Sequence, residues 1–209
     1  MTIILFDVDG VLIKGYGAQS TPETRWDRNL KEDFGISRED FKRYFIKEDF
    51  ENEVLTGKIA LHKALQKSLP EMGYDGDVQA FIDYWIKMDA NVNEELVGYV
   101  EKLAELPDVY LFLATCQEHV RARYLMEEVG FNRCFDDIFY SARCGYLKPD
   151  PRYYEWVNKQ LDFKPGDKVV MFDDRAENIE GAIKAGWEGH VFERSEDIFN
   201  SETVRSLLS

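Results

Sequence analysis

Residues 2–10 read TIILFDVDG, an apolar run that is followed at once by two acids. The run Thr2–Phe6 predicts a short strand that is buried on both faces, as strands are in a parallel sheet. Asp7 and Asp9 come at the carboxyl end of this strand, and Gly10 then permits a tight turn. The segment therefore predicts the first strand of an α/β protein, with two carboxylates at its end.

The same arrangement returns in the second half of the chain. Further apolar runs that predict strands lie at residues 109–114, 138–140, 168–172 and 190–192. The first of them ends at Thr115, and the third ends at Asp173 and Asp174. Segments with apolar residues at three-to-four spacing lie between the runs, and such spacing is typical of amphipathic helices. Strands that alternate with helices predict a parallel sheet with right-handed crossovers.

Residues 21–90 interrupt this alternation with a helical pattern and no strand pattern. We predict about four helices here, one of them capped by Ser37 in a capping box with Asp40 and another starting near Thr21. The predicted division is an α/β core of residues 1–15 and 91–209 and a helical insert of residues 16–90.

The charge balance narrows the classes of partner. The 209 residues include 40 acids against 26 lysines and arginines, a formal net charge of −14, which argues against nucleic acid and against an anionic membrane. Three cysteines form no CxxC pair and favour a reducing compartment. The sequence has neither a signal-peptide pattern nor an apolar run of about 18 residues, so we expect a cytoplasmic protein.

Ligands of parallel α/β sheets bind at the carboxyl ends of the strands. The side chains expected at this edge are four carboxylates, a hydroxyl and an amine, from Asp7, Asp9, Asp173, Asp174, Thr115 and Lys148. Carboxylates placed close together repel one another, so a cation must offset them. A hard divalent ion suits oxygen ligands, and Mg²⁺ is the usual one where phosphate is bound.

Four segments resemble, in order, the four motifs of the haloacid dehalogenase-like hydrolase superfamily, and specifically of its phosphatases. The first motif is an apolar strand followed by DxDG, here residues 3–10, and the second is an apolar strand that ends in Thr or Ser, here residues 111–115. The third is a lysine often followed by proline, here Lys148, and the fourth is an apolar strand that ends in paired acids, here residues 169–174. The resemblance implies an α/β fold with a Rossmann-like parallel-sheet core and a mainly helical cap domain.

The resemblance also implies roles in an Mg²⁺-dependent phosphatase reaction. Asp7 would be the nucleophile that forms an aspartyl-phosphate, and Asp9 would be the general acid and base. Thr115, Lys148 and the backbone N–H of Cys116 would hold the phosphoryl oxygens, although the family often has asparagine where Cys116 stands.

The metal is expected to bind at the same edge of the sheet. Asp7, Asp173 and the backbone carbonyl of Asp9 would ligate Mg²⁺, while Asp174 and Asn178 would act in its outer shell or through water. In the cap, Lys58 is the best single prediction for a substrate contact, ahead of Trp26, Arg43 and Lys47, because it lies in a turn-like setting after Gly57.

The expected substrate is a small phosphomonoester, such as a sugar phosphate, acted on by a monomer or a homodimer. A phosphomutase of the same family stays open as an alternative, since it shares the covalent intermediate. A haloacid dehalogenase is disfavoured by Asp9, because cleavage of a carbon–halogen bond needs no proton for the leaving group. A catalytically inactive binding module is disfavoured by the complete set of acids, which would destabilise a fold without a use for them.

Overall fold

The computed structural model describes residues 1–161 and 164–208, and for Gln19 the backbone alone. The strands are β1 (Thr2–Phe6), β2 (Val109–Thr115), β3 (Asp137–Tyr140), β4 (Lys168–Asp173) and β5 (Glu188–Val191). In the described residues they form one parallel sheet in the order β3-β2-β1-β4-β5. The predicted α/β fold is confirmed, although the last strand begins two residues earlier than expected and ends before Phe192.

The register of the sheet brings the ends of three strands together. Phe6, the last residue of β1, lies opposite Leu113 of β2 on one side and Phe172 of β4 on the other. The residues that follow therefore leave the sheet at the same edge, because parallel strands run in one direction. Asp7 and Asp173 are consequently neighbours at the carboxyl edge, as the sequence predicts.

Helices cover both faces of the sheet. The α-helices of the described residues are α1 (Leu30–Phe34), α2 (Arg38–Phe41), α3 (Leu61–Glu71), α4 (Val78–Met88), α5 (Glu94–Ala104), α6 (His119–Glu127), α7 (Ser141–Cys144), α8 (Pro151–Leu161), α9 (Ala176–Lys184) and α10 (Glu202–Leu207), of which α1 to α4 do not pack on the sheet. Ile4 and Phe6 of β1 pack with α5, α6 and α10 on one face, while Ile3 and Leu5 pack with α8 and α9 on the other. None of the described helices combines the length and the apolar character that crossing a bilayer requires.

A third apolar cluster is formed within residues 30–86, separate from the two that flank the sheet. It contains α1 to α4 and a π-helix (Lys42–Val54) that continues directly from α2. Ser37 caps α2 as predicted, because its Oγ accepts a hydrogen bond from the Asp40 backbone N–H at 3.0 Å. The helix expected near Thr21 does not form, since Thr21 and Thr24 bond to each other in a turn instead.

Two chain segments connect this helical cluster to the sheet, and they run side by side. The Lys14 N–H donates to the Asn91 carbonyl at 2.8 Å, and the Asn93 N–H donates to the Leu12 carbonyl at 2.8 Å. The predicted domain boundaries fall within these paired segments, and the division into a core and a cap stays a prediction. We call residues 16–90 the helical insert.

Candidate active site

The predicted site residues meet in one cavity at the carboxyl edge of the sheet. The cavity has a volume of about 310 Å³, and its lining includes Asp7, Asp9, Thr115, Cys116, Lys148 and Asp174. Asp173 lies beneath this lining and is fully buried. The strands position the acids, Thr115 and Cys116, because these follow or end buried strands whose apolar side chains hold them in register, whereas Lys148 comes from the loop between α7 and α8. The structure thus brings together every site residue that was predicted in the sheet part of the chain.

Lys148 occupies the centre of the site. Its Nζ lies 3.0 Å from Asp7 Oδ1 and 2.5 Å from Asp173 Oδ2, and it donates a hydrogen bond to the Ala114 carbonyl at 2.7 Å. Burial by itself lowers the pKa of Lys148, but the two carboxylates outweigh it and raise this pKa well above its usual value. Lys148 is therefore a charged ammonium fixed between two acids.

Asp7 is held in a low-dielectric setting at the base of the cavity. Only 6% of the residue is exposed, and its Oδ1 accepts a hydrogen bond from the Val8 backbone N–H at 2.8 Å. Burial raises the pKa of the Asp7 carboxyl; Lys148 opposes this shift, while Asp173 and Asp9 add to it. Further positive charge at the site would therefore favour the ionised carboxylate that a nucleophile requires.

The Asp9 carboxylate is clamped by two side chains of the sheet part that were not predicted as site residues. Arg121 binds it in a bidentate ion pair, with Nη1 to Oδ2 at 2.8 Å and Nη2 to Oδ1 at 2.7 Å, and Gln117 Nε2 donates to Oδ2 at 2.7 Å. The same guanidinium pairs through Nε with Asp89 Oδ2 at 3.0 Å, and Tyr16 donates to Asp89 Oδ1 at 2.6 Å. Asp9 is thus linked to both ends of the helical insert.

The sequence contained a pattern that could have identified Arg121 as a site residue. Arg121 lies four residues before Leu125 on α6, and both residues are buried. A charged residue on the apolar stripe of an amphipathic helix is buried only with a partner. Arg121 therefore had to face carboxylates, although the sequence alone did not tell which ones.

Thr115 and Cys116 continue the wall of the cavity at the end of β2. Thr115 is 1% exposed, and the Cys116 Sγ accepts a hydrogen bond from the Lys148 backbone N–H at 3.3 Å. Burial raises the pKa of the Cys116 thiol to about 11, in spite of the nearby Lys148 ammonium. Cys116 is therefore a neutral thiol that packs and accepts a hydrogen bond, and it is no nucleophile at neutral pH.

This geometry agrees with a comparison against models of protein families. Residues 1–186 match the model of the haloacid dehalogenase-like hydrolases. The chain belongs to this family. The match covers all four motifs and the helical insert, so it confirms the resemblance that the motifs indicated.

The curated proteins that this chain resembles in sequence include one named a phosphatase. Phosphate metabolism protein 8 of Saccharomyces cerevisiae is 24% identical over 97% of this chain, and the aligned region covers 64% of the yeast protein. Phosphatase MT3486 of Mycobacterium tuberculosis is 33% identical over 76 residues, which are 36% of this chain and 35% of that protein. The chain thus spans less than two thirds of the length of either relative.

Solved structures of the family share the fold. The enzyme BT-2542 of Bacteroides thetaiotaomicron superimposes with a TM-score of 0.73 at 18% identity, over 91% of this chain and 93% of that one. A second structure of BT-2542, in complex with magnesium and inorganic phosphate, gives a TM-score of 0.65 at 16% identity over the same shares. At these identities the likeness shows the fold alone.

The acids of the site fit the magnesium that such relatives bind. One carboxylate oxygen from each of Asp7, Asp173 and Asp174 lies within 4.8 Å of the others. Burial and Asp173 raise the pKa of Asp174 to about 6, which reflects crowded negative charge. Asn178 Nδ2 donates to both oxygens of Asp173, at 2.9 and 3.1 Å, while its buried Oδ1 has no hydrogen-bond partner among the described residues. The donor set is hard oxygen, and an acceptor remains for a water on the ion.

Two glycines keep Asp174 in place. Gly10 and Gly17 both have positive φ, 81° and 51°, and a Cβ on either would collide with Asp174 Oδ2. Both positions therefore require glycine for the backbone conformation and for the close approach. The loop after β1 consequently packs directly against the acid pair that ends β4.

Lys58 and the two lesser candidates of the insert, Arg43 and Lys47, are not brought to the site. The side chain of Lys58 is 60% exposed, and its Nζ lies 3.5 Å from Glu53 Oε1 and 3.3 Å from the Asn52 carbonyl. Lys58 does not line the cavity at the carboxyl edge of the sheet. The neighbouring Gly57, in contrast, approaches the sheet part so closely that a Cβ would collide with the Ala142 carbonyl. The turn at Gly57 therefore lies close to the sheet part of the chain. The side chain of Lys58 nevertheless extends toward Glu53 and Asn52 of the insert and not toward the site.

Proposed function

We propose that this protein is an Mg²⁺-dependent phosphatase that hydrolyses a small phosphomonoester through an aspartyl-phosphate on Asp7. The observation that carries the proposal is the buried Asp7 carboxylate, 3.0 Å from the Lys148 ammonium and beside the acids that fit a divalent cation. The name of one relative, phosphatase MT3486, supports the reaction class. A sugar phosphate, or a similar organic monophosphate, is the proposed substrate class.

In the first step an Asp7 oxygen attacks phosphorus, and the bond between phosphorus and the alcohol oxygen breaks. Asp9 gives its proton to the departing oxygen, so that a neutral alcohol leaves. Lys148 and Thr115 hold the phosphoryl oxygens on the far side, and the ammonium offsets the charge of the transition state. A bound Mg²⁺ would supply further charge neutralisation at the phosphoryl oxygens.

In the second step the aspartyl-phosphate is hydrolysed. Asp9, now ionised, takes a proton from a water molecule, and the resulting oxygen attacks phosphorus. The bond from phosphorus to Asp7 breaks, inorganic phosphate leaves, and both carboxyl groups return to their starting states. Arg121 and Gln117 donate to both Asp9 oxygens, so one of these contacts would open for an Asp9 oxygen to carry the proton of the first step. The closed clamp would hold the ionised carboxylate that the second step uses.

Phosphate release from a panel of phosphomonoesters, measured with Mg²⁺ present, tests this function. A phosphatase should release inorganic phosphate in proportion to the ester consumed. A phosphomutase should instead return an isomer of the ester with little free phosphate, and an inactive binding module should leave every ester intact. Either of these results would contradict the proposal.

Asp9→Asn tests the proton transfer. We expect a fall of about 10²–10⁴-fold in kcat/KM for alkyl phosphates, whose basic alkoxides need a proton to leave. The fall should be much smaller for p-nitrophenyl phosphate, because nitrophenolate leaves without one. The control is Asp89→Asn, which removes the other partner of Arg121 and keeps the acid. Equal losses for both ester types in Asp9→Asn would show that Asp9 has another role.

Lys148→Met tests the central cation. The variant leaves Asp7 and Asp173 buried without their ammonium, and loss of one partner of a buried ion pair costs about 3–5 kcal/mol. We therefore expect a lower free energy of unfolding in urea with chelator present, and a fall of about 10²–10³-fold in kcat. Lys168→Met, at the exposed start of β4, is the matched control. An unchanged free energy of unfolding of Lys148→Met in chelator would contradict the buried ion pairs of Lys148 with Asp7 and Asp173.

A further inference from the structure

A second cavity, of about 240 Å³, lies between the helical insert and the sheet part. It shares Asp9, Tyr16 and Cys116 with the cavity at the carboxyl edge of the sheet. The two cavities therefore adjoin at Asp9, the proposed general acid. If a phosphoryl group lies against Asp7, the alcohol that Asp9 protonates must extend away from phosphorus at this junction. The second cavity is therefore the space that the alcohol can enter, and we call it the alcohol cavity.

The insert supplies an apolar and partly aromatic wall to the alcohol cavity. Five side chains contribute to it: Trp26, Ile46, Phe50, Leu55 and Trp85. The rings of Trp26 and Trp85 are stacked with their centroids 5.0 Å apart, and Phe50 lies 5.3 Å from Trp85. Flat aromatic faces favour a ligand with an apolar face, such as a ring.

The charges around the alcohol cavity are unbalanced. Asp9, Asp89 and Glu51 line it together with a single cation, Arg121. Arg121 already pairs with both Asp9 and Asp89, and among the described residues Glu51 forms no salt bridge. The lining therefore carries an excess of negative charge, which disfavours an alcohol that bears a carboxylate or a second phosphate.

We propose that the alcohol cavity selects an uncharged alcohol with an apolar face and rejects alcohols that carry an anionic group. The proposal rests on the proposed phosphatase function and names the chemical class of its leaving group. Glu51 is the residue that sets this selectivity, through its charge.

Benzyl phosphates with a hydroxymethyl or a carboxylate group on the ring test the selectivity. The substituents are remote from the scissile bond, so the leaving alcohols have similar basicity and differences in kcat/KM report on binding. Across the 2-, 3- and 4-isomers, we expect the best hydroxymethyl ester to exceed the best carboxylate ester by about tenfold or more. Glu51→Gln should narrow this ratio, whereas Glu48→Gln, on the same π-helix but outside the lining, should leave it unchanged.

Calorimetric titration of the same esters separates this inference from the proposed function. Hydrolysis of the hydroxymethyl and carboxylate esters at equal rates would keep the phosphatase function and overturn the selectivity. Tighter binding of the hydroxymethyl esters without any hydrolysis would contradict the phosphatase function and support the selectivity. Equal binding of both series without hydrolysis would overturn both.

Discussion

Asp7→Asn should fold like the parent protein and release phosphate at a rate lower by about 10⁴-fold or more. A neutral amide is a poor nucleophile, so the first covalent step is lost. The change preserves the size of the side chain, and Lys148 keeps its contact with Asp173 at 2.5 Å. The measurement is the single-turnover rate of phosphate release with saturating ester and Mg²⁺.

The covalent intermediate gives this experiment a second readout. Acid quenching during turnover should trap a phosphoryl group on a peptide that contains Asp7 in the parent protein, and none in Asp7→Asn. Asp137→Asn, an exposed acid paired with Arg143 at 2.9 Å, should behave like the parent in both assays. Parent-like turnover by pure Asp7→Asn would rule out the covalent mechanism.

The sheet and the acids at its edge could be predicted because both depend on short-range patterns. The apolar runs of β1, β2 and β4 are each bounded by a polar residue, and parallel pairing then places Asp7, Thr115 and Asp173 at one edge. No knowledge of side-chain packing is needed for this step. The position of each acid relative to its own strand was sufficient.

The surroundings of Asp9 could not be predicted in the same way. Its clamp joins residues separated by 112 positions, Asp9 and Arg121, and the guanidinium also reaches Asp89 at the end of the insert. Such contacts depend on how α6 is rotated against the sheet and on where the insert rests. Sequence periodicity gives the buried stripe of α6, but it does not give the partner that the stripe will meet.

Within the helical insert, too, the sequence predicted the elements but not the details of their structure. Its apolar spacing predicted helices, yet residues 42–54 adopt a π-helix whose i to i+5 bonding the spacing did not distinguish from an α-helix. Lys58 was chosen because it follows a turn, and a turn does not determine which of its side chains faces the core. Trp26, one of the predicted contacts, does line the alcohol cavity, whereas Phe50 and Trp85 were not predicted as site residues.

Removal of divalent cations should abolish phosphate release, and Mg²⁺ should restore it. Asp7, Asp173 and Asp174 place three carboxylate oxygens within 4.8 Å of one another, and the Lys148 ammonium offsets only part of that charge. A substrate phosphate would add further negative charge at the same place. Ca²⁺ should bind and inhibit, because its larger and looser coordination shell changes the geometry of the bound phosphate.

A pair of glycine substitutions makes this prediction specific to the acid cluster. Gly17 and Gly35 both have positive φ, 51° and 72°, so alanine strains the backbone at either position by roughly 1–2 kcal/mol. At Gly17 the new Cβ would also collide with Asp174 Oδ2, whereas Gly35 has no neighbour within 4 Å of that point. The two variants therefore share the backbone cost and differ in their effect on Asp174.

We expect Gly17→Ala to raise the Mg²⁺ concentration for half-maximal activity by about 10–100-fold, the range found when groups that support metal ligands are disturbed. Gly35→Ala should keep the Mg²⁺ dependence of the parent, even if it unfolds at a lower urea concentration. Titration of activity with Mg²⁺ after chelator treatment measures both. Full activity of the parent in excess chelator would refute the metal requirement, and an equal Mg²⁺ dependence of the two variants would remove Asp174 from the metal site.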